Sequence, residues 1–164
     1  MAVDKSLIGT PTGRSKITVE RGPVSNFAKA VTDDNPIYQS PAAAKDAGFD
    51  NIPAPPTWGF AMRNWGLFKE VQPEGGVPKQ NPMMKILGGL MQKGGMILHG
   101  EQEFEYHRPI QAGDVLVGEG KIADIYEKES KGRTMTFVIT EDVFRDDKTG
   151  EPVLTMRSNI LHRG

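Results

Sequence analysis

The sequence contains no cysteine, and this absence excludes several kinds of chemistry at once. Disulfide bonds, thiolate metal ligands and a cysteine nucleophile all require that side chain. Only three histidines are present, which is too few to favour a structural zinc site without cysteine. We therefore predict no metal centre, and the lack of cysteine fits a reducing cytoplasm, which is the expected location.

Long apolar runs and an excess of one charge are also missing. No window reaches the roughly 18 apolar residues of a membrane span, and residues 1–16 lack the apolar stretch of a signal peptide. Twenty basic residues face 21 acidic ones, and the net charge of -1 gives no field that would concentrate nucleic acid or an anionic membrane. The chain of 164 residues has the length of a single domain.

The first half carries the periodicity of helices. In "GPVSNFAKAV" the apolar residues at helical spacing are Val24, Phe27, Ala28 and Val31. This helix is expected to end between Thr32 and Asn35, because a residue before proline is disfavoured in the α conformation. A second short helix, "PAAAKDAGF", is expected to end at Gly48.

A longer helix is predicted within "NIPAPPTWGFAMRNWGLFKEV", residues 51–71. Its prolines suit an extended entry and a first helical turn. Its apolar residues then lie nearly all round: Trp58, Phe60, Ala61, Met62, Trp65, Leu67 and Phe68. Such a helix is buried on most sides, so another part of the chain must wrap it.

The second half supplies strands that can do so. Four segments, 101–110, 114–129, 133–144 and 152–163, are rich in β-branched and aromatic residues, and "QAGD", "SKG" and "DDKTGE" connect them as hairpin turns. This pattern predicts an antiparallel meander, to which "SKITVE" adds a strand. Gly118 and Gly120 are expected to mark a bulge or bend. Residues 72–100 form a long connection without a steady period.

A buried helix wrapped by a curled antiparallel sheet is the hot-dog arrangement. The segments "DDNPIY", "GFDNIPAPPTW" and "LHGEQEFEYHRPIQAGDVL" resemble the MaoC-like hydratase and dehydratase family. They resemble especially the subgroup whose N-terminal dehydratase domain is like that of type I fatty-acid synthase. The expected fold is α+β, one hot-dog domain over residues 1–164.

The resemblance implies reversible, (R)-specific addition of water to a 2-enoyl thioester of CoA or acyl carrier protein, without a cofactor. The family places its acid and base in the pattern D-x-N-P-x-H on a loop that leaves a helix. Here Asp33, Asn35 and Pro36 match that pattern, and Tyr38 stands where the histidine is expected. Tyrosine has a pKa of about 10, which suits a base poorly, so Tyr38 is expected to line or fill the pocket.

This sequence also departs from the family pattern at the position of the hydrogen-bond donor to the thioester oxygen. This donor is a backbone N–H at the start of the central helix, from a glycine after a histidine. Pro55 and Pro56 stand at that pair, and proline has no N–H to donate. Thr57 or Trp58 can take the role if the register shifts by a residue or two.

Other residues have both a functional and a structural interpretation. Four methionines are candidates for lining an acyl tunnel or for filling the core: Met83, Met84, Met91 and Met96. His99 is a further substrate-site candidate, and His162 is expected at a surface or interface. Arg63, Lys85 and Arg108 are alternatives for a CoA phosphate contact, and Asp33 with Asp34 can also be plain turn formers.

Three functional hypotheses follow. In the first, the chain is the acyl-binding half of a thioester hydratase or dehydratase, and a partner hot-dog chain supplies the complete Asp and His. In the second, it is a homo-oligomeric hot-dog protein that holds an acyl thioester without turnover. In the third, a homo-oligomer is active through Asp33 with Tyr38 or His99.

Overall fold

The structure is a computed structural model that describes residues 4–76 and 81–164. Residues 77–80 of the predicted long connection and the first three residues of the chain lie outside the described residues. The fold is α+β and is built on one antiparallel sheet in the order β1-β3-β4-β5-β2. Its strands are β1 Pro11–Thr18, β2 Met96–Tyr106, β3 Val115–Ser130, β4 Arg133–Asp146 and β5 Pro152–Arg163.

Strands β3, β4 and β5 follow one another through hairpins, as predicted. At the tip of the first hairpin, Lys131 and Gly132 have φ angles of 51° and 73°. Positive φ at both central residues is the geometry that matches the right-handed twist of the flanking strands. The turn chemistry of "SKG" therefore predicted this hairpin correctly.

The predicted hairpin at "QAGD" is wrong. Strand β2 pairs with β5 at one edge of the sheet, and β1 pairs with β3 at the other. The N–H groups of His107 and Arg108 still donate to the Val153 carbonyl, so the chain leaves β2 while attached to β5. It then crosses to β3, where the Arg108 guanidinium lies 2.7 Å from Asp114 and 2.8 Å from Asp146.

The helices are α1 Arg21–Ala30, α2 Pro41–Asp46, α3 Trp58–Ala61 and α4 Pro82–Met91. Helix α1 buries Val24 and Ala28, as predicted. The helix ends at Ala30, before the predicted Thr32–Asn35, so Val31 lies beyond it and is 45% exposed. Helix α2 ends as predicted before Gly48, whose φ of 90° suits glycine. Among the described residues, no helix is long and apolar enough to cross a membrane.

The long helix predicted over residues 51–71 is mostly wrong. Helix α3 has a single turn, which a 3₁₀ turn continues over Met62–Asn64. Beyond it, the chain runs along the outer edge of β1, where the Gly66 carbonyl accepts from the Thr18 N–H at 3.1 Å. A side chain at Gly66 would collide with Ile17 and the Thr18 carbonyl, so this contact requires glycine. The helix ends because its continuation is attached to β1.

Two apolar clusters lie on the sheet. The first surrounds Trp58 and includes Phe144, Leu154 and Met156. The second lies under α4 and includes Ile86, Leu90 and Val138.

The prediction of a bulge or bend holds for Gly120 but not for Gly118. The β3–β4 register is continuous past both glycines and shifts between Ile122 and Asp124. The β1–β3 register shifts between Pro11 and Gly13, which lie opposite Lys121 and Gly120, so the extra residue belongs to β1. A side chain at Gly118 would meet the Phe144 ring, and one at Gly120 would meet the Asp142 carboxylate. These glycines therefore leave room for side chains of β4.

We predict that Gly118→Ala lowers the free energy of unfolding by about 1–3 kcal/mol, because the added methyl group overpacks the Phe144 site. Gly88→Ala is the matched control, since a side chain there meets nothing within 4 Å and lies within α4. It should stabilise the protein by up to about 1 kcal/mol. Chemical denaturation of both variants measures the difference, and a neutral Gly118→Ala would contradict the packing described.

Candidate functional site

The loop after α1 brings together Asp33, Asn35 and Tyr38. The Asp33 N–H donates to the Ala28 carbonyl at 2.9 Å, which fixes the loop to the end of the helix. The Asn35 N–H donates to Asp33 Oδ1 at 3.2 Å, and Asn35 Oδ1 accepts from the Ile37 N–H at 3.1 Å. The Asn35 side chain thereby caps the 3₁₀ turn that carries Tyr38.

Tyr38 is buried, with 7% of its surface exposed. Burial raises the pKa of its hydroxyl above the ordinary value, and the charge of Asp33 and a hydrogen bond to Asp33 raise it further. At neutral pH the hydroxyl therefore keeps its proton and acts as a donor to the carboxylate. In this position Tyr38 is unsuited to remove a proton from water.

The start of α3 is occupied by contacts within the chain. The Trp58 N–H donates to the Pro55 carbonyl at 2.9 Å, and the Trp58 side chain lies in the core, 1% exposed. The Tyr106 hydroxyl donates to the Pro56 carbonyl at 2.6 Å. Burial raises the pKa of that hydroxyl to about 12, although a hydrogen bond from the Gly59 N–H opposes the rise.

Tyr106 is a candidate site residue that the sequence did not predict. It is the last residue of β2, and nothing in its local pattern distinguishes it from a strand residue that packs on the sheet. Only the approach of β2 to α3 places its hydroxyl between the Pro56 carbonyl and the Gly59 N–H. With Trp58 also engaged, Thr57, which is exposed at the N-cap of α3, keeps its predicted role as a proposal.

A cleft of about 740 Å³ lies between the α3 region, α4 and the sheet. Its apolar lining consists of Phe60, Leu67, Met83, Leu87, Met156 and Ile160. Its polar lining includes Arg63, Asn64, Asn81, Thr140, Asp142 and Ser158. We refer to this space as the α4 cleft.

The α4 cleft contains one of the four methionines proposed for an acyl tunnel, Met83. Met84 does not line it and is 66% exposed, because α4 turns Ile86 and Leu90 towards the sheet instead. Met91 and Met96 are each 59% exposed.

The predicted site residues do not form one cluster. Asp33, Asn35 and Tyr38 are absent from the lining of the α4 cleft. His99 is also absent from that lining and is exposed, with its ring 5.2 Å from that of Phe60 and its Nε2 3.1 Å from the Glu101 carbonyl. The loop and the cleft are therefore two separate parts of a possible site.

The structure also places the other residues that the sequence singled out. His162 was expected at a surface or interface, but it is 4% exposed and its Nε2 lies 2.7 Å from the Gly94 carbonyl. The β2–β5 pairing turns it inward under α4.

The arginines considered for a CoA phosphate have different surroundings. Arg108 forms ion pairs with Asp114 and Asp146, while Arg63 faces the α4 cleft. Within the part of the chain that is described, no group of three or more metal-binding side chains occurs.

Comparison with known proteins relates most of the chain to one family. Residues 6–156 match the model of the FAS1-like dehydratase domain region. A UPF0336 protein of Saccharopolyspora erythraea is 32% identical over all of this chain and 94% of its own length. A probable enoyl-CoA hydratase alpha subunit of Thermomonospora curvata is 28% identical, over 84% of this chain and 43% of that protein.

Solved structures show the same fold. The ChsH1-ChsH2 complex from Mycobacterium tuberculosis contains a chain that is 26% identical, with a TM-score of 0.72 over 93% of this chain and 83% of that one. The HadBC (3R)-hydroxyacyl-ACP dehydratase complex from the same organism gives 23% identity and a TM-score of 0.65, over 91% and 93% of the two chains. These matches confirm the predicted hot-dog fold.

Proposed function

The chain belongs to the family of the FAS1-like dehydratase domain region, among the MaoC-like hot-dog proteins, and from this premise we propose that it is the acyl-binding half of an enzyme. The reaction is (R)-specific hydration of a 2-enoyl thioester, or the reverse dehydration of a 3-hydroxyacyl thioester. The substrate is carried by CoA or acyl carrier protein, no further cofactor takes part, and the protein works in the cytoplasm. A second hot-dog chain supplies the complete Asp and His.

The observation that carries this proposal is the state of Tyr38. A general base works best with a pKa near the operating pH, whereas burial and Asp33 raise the pKa of this hydroxyl. The loop keeps the aspartate and asparagine of the family pattern but holds a proton donor at the position of the base. Catalysis at an ordinary rate therefore requires a histidine from another chain.

The α4 cleft supports the acyl-binding role. Its volume of about 740 Å³ lies within the range of roughly 300–1,000 Å³ that is usual for small-molecule sites. Phe60, Leu67 and Met83 give it an apolar wall, and methionine adapts readily to an irregular apolar ligand. His99 contacts the Phe60 ring, and Thr57 is the N-cap of the helix that carries Phe60; both are proposed to contact the thioester end.

The two edges of the sheet differ in a way that indicates where a partner binds. The edge of β1 is covered by the chain itself, since Lys16 N–H donates to the Gln72 side chain at 3.0 Å and Thr18 N–H to Gly66. Among the described strands, β2 pairs only with β5, so its other edge is open. Met96 and Leu98 are exposed on β2, at 59% and 39%. An open edge with apolar neighbours favours pairing with another chain.

The charges on β2 favour a different chain over a second copy. Glu101, Glu103 and Glu105 alternate along the strand, so they share one face. A two-fold axis centred on this segment would place these carboxylates opposite one another, which is destabilising. Arg157 lies 3.2 Å from Glu103 and 3.7 Å from Glu105, and it offsets only part of this charge. We therefore propose a hetero-oligomer.

The test is a hydration assay with and without a partner. The purified chain alone should hydrate a short trans-2-enoyl-CoA far below the roughly 10 per second of a median enzyme. Addition of a hot-dog chain from the same source with an intact D-x-N-P-x-H should raise the rate to that range, as followed by loss of enoyl-thioester absorbance. Ordinary turnover by the chain alone would contradict the proposal and favour a homo-oligomer that uses Asp33.

A second function, acyl-thioester binding without turnover, is favoured by the occupied start of α3. The Trp58 N–H donates to the Pro55 carbonyl, and the Gly59 N–H donates to the Tyr106 hydroxyl, so both N–H groups already have partners within the chain. This function predicts binding of acyl-CoA with no increase in hydration when any such partner is added.

A further inference from the structure

The face of the sheet that packs against the helices is apolar at its two ends and polar between them. At one end, Phe144 and Leu154 belong to the first apolar cluster, and at the other, Val138 belongs to the second. Between them, β4 and β5 present Thr140 and Ser158, which are directly opposite each other in the register. Together with Asp142, these residues line the α4 cleft. The cleft therefore has a polar floor between two apolar clusters.

An ion pair occupies this floor. Arg63 Nη2 lies 2.6 Å from Asp142 Oδ1, and the side chains are 40% and 8% exposed. The Arg63 guanidinium also lies over the Phe144 ring, at 5.4 Å from its centroid. A side chain at Gly120 would collide with both Asp142 and Thr12, so the position of Asp142 depends on that glycine. The pair is thus held by β3, β4 and the 3₁₀ turn after α3.

The guanidinium has hydrogen-bonding capacity that its neighbours leave unused. Within the described residues Arg63 donates through Nη2 to Asp142, whereas its Nε is buried and has no partner. A guanidinium carries several N–H donors and no acceptor. A pure hydrocarbon chain in the cleft would displace water from the exposed side of Arg63 without replacing its hydrogen bonds, which is unfavourable. A ligand with an oxygen acceptor restores them.

We propose that the α4 cleft is selective for acyl chains that carry a keto or hydroxyl oxygen in their distal half, in addition to the reacting carbons, and that Arg63 is the residue that recognises this oxygen. The oxygen accepts a hydrogen bond from the guanidinium, and the Thr140 hydroxyl is a further donor to it, whereas the Ser158 hydroxyl already donates to Gln102 Oε1 at 2.7 Å. This inference rests on the proposed acyl-binding function and adds the class of acyl chain. The ion pair with Asp142 orients the guanidinium towards the ligand.

The test compares the binding of two kinds of probe to the purified chain by isothermal titration calorimetry. One is decanoyl-CoA, and the other is a series of oxodecanoyl-CoA thioesters in which the keto group is moved along the distal half of the chain. At least one keto position should bind about tenfold more tightly than decanoyl-CoA, since a hydrogen bond to a charged donor has that strength. In Arg63→Met, this ratio should fall to about one.

Arg133→Met is the matched control, because it makes the same chemical change at an exposed position of the β3–β4 hairpin and should keep the tenfold ratio. The ratio compares two ligands on one sample, so a partly unfolded variant does not distort it. If Arg63→Met fails to fold because Asp142 loses its partner, the Arg63→Lys variant is measured instead. Its ratio of keto-probe to decanoyl-CoA affinity should be severalfold lower than that of the parent chain.

The outcomes separate this inference from the function on which it rests. Equal binding of decanoyl-CoA and every keto probe, or an unchanged ratio in the Arg63 variants, would overturn the inference and leave acyl binding intact. Failure of all the thioesters to bind would overturn both the acyl-binding function and the inference.

Discussion

The combined variant Tyr38→His/Pro56→Gly is expected to hydrate trans-2-enoyl-CoA at least about a hundredfold faster than the parent chain. The histidine completes D-x-N-P-x-H on a loop that already holds Asp33 and Asn35 together. Its pKa of about 6.5 suits a base near neutral pH, and acid-base assistance contributes about a hundredfold to ten-thousandfold. The glycine adds a backbone N–H before α3, and one oxyanion donor contributes roughly a hundredfold or more.

The single variants and a control variant show which substitution produces this increase in rate. Tyr38→His alone should give a smaller increase, because the thioester oxygen still lacks its donor at residue 56. Tyr38→Phe removes the hydroxyl without adding a base and should leave the rate at the parent level. The assay follows enoyl-CoA hydration beside acyl-CoA binding. If the combined variant folds, binds acyl-CoA and remains as slow as the parent, the loop is only the turn that ends α1, and Asp33 has no catalytic role.

Trp58→Ala is expected to lower the free energy of unfolding by about 3–5 kcal/mol, as large aromatic truncations in protein cores do. Trp58 is 1% exposed, stacks on Trp65 at 5.2 Å between ring centroids and meets the edge of Phe27 at 5.5 Å. Trp65 is 46% exposed, so Trp65→Ala leaves a smaller buried gap. It should cost about 1–2 kcal/mol, mainly for the lost stacking and partial burial.

Chemical denaturation of the two variants compares the two interpretations of residues 51–71. The sequence predicts that both tryptophans lie on one buried helix, whereas the structure buries only the first. Equal losses of about 3–5 kcal/mol would support the long helix and contradict the short α3. Phe68→Ala, at a residue 36% exposed in the segment beyond α3, is the control and should behave like Trp65→Ala.

The sequence by itself determined most of the strands, the first two helices and the composition of the loop that follows α1. Strands β3 to β5 could be predicted because β-branched residues and turn residues lie in short, contiguous segments. The end of α2 followed from Gly48, whose backbone preference acts within one or two residues, whereas α1 ends at Ala30, earlier than Pro36 predicts. The presence of Tyr38 in place of the family's histidine could be recognised from the six-residue segment "DDNPIY" alone.

The tertiary structure alone decided which distant segments meet. The apolar pattern of residues 51–71 suits a helix, but the contact of Gly66 with Thr18 takes the chain along β1 instead. The partner of β2 is not encoded in the turn that follows it, because a strand edge can pair with any strand that the rest of the fold brings alongside. The Tyr106 hydroxyl at α3 and the ion pair of Arg63 with Asp142 join residues far apart in sequence. Local periodicity specifies which side of an element is buried, whereas its neighbours are fixed only when the whole chain packs.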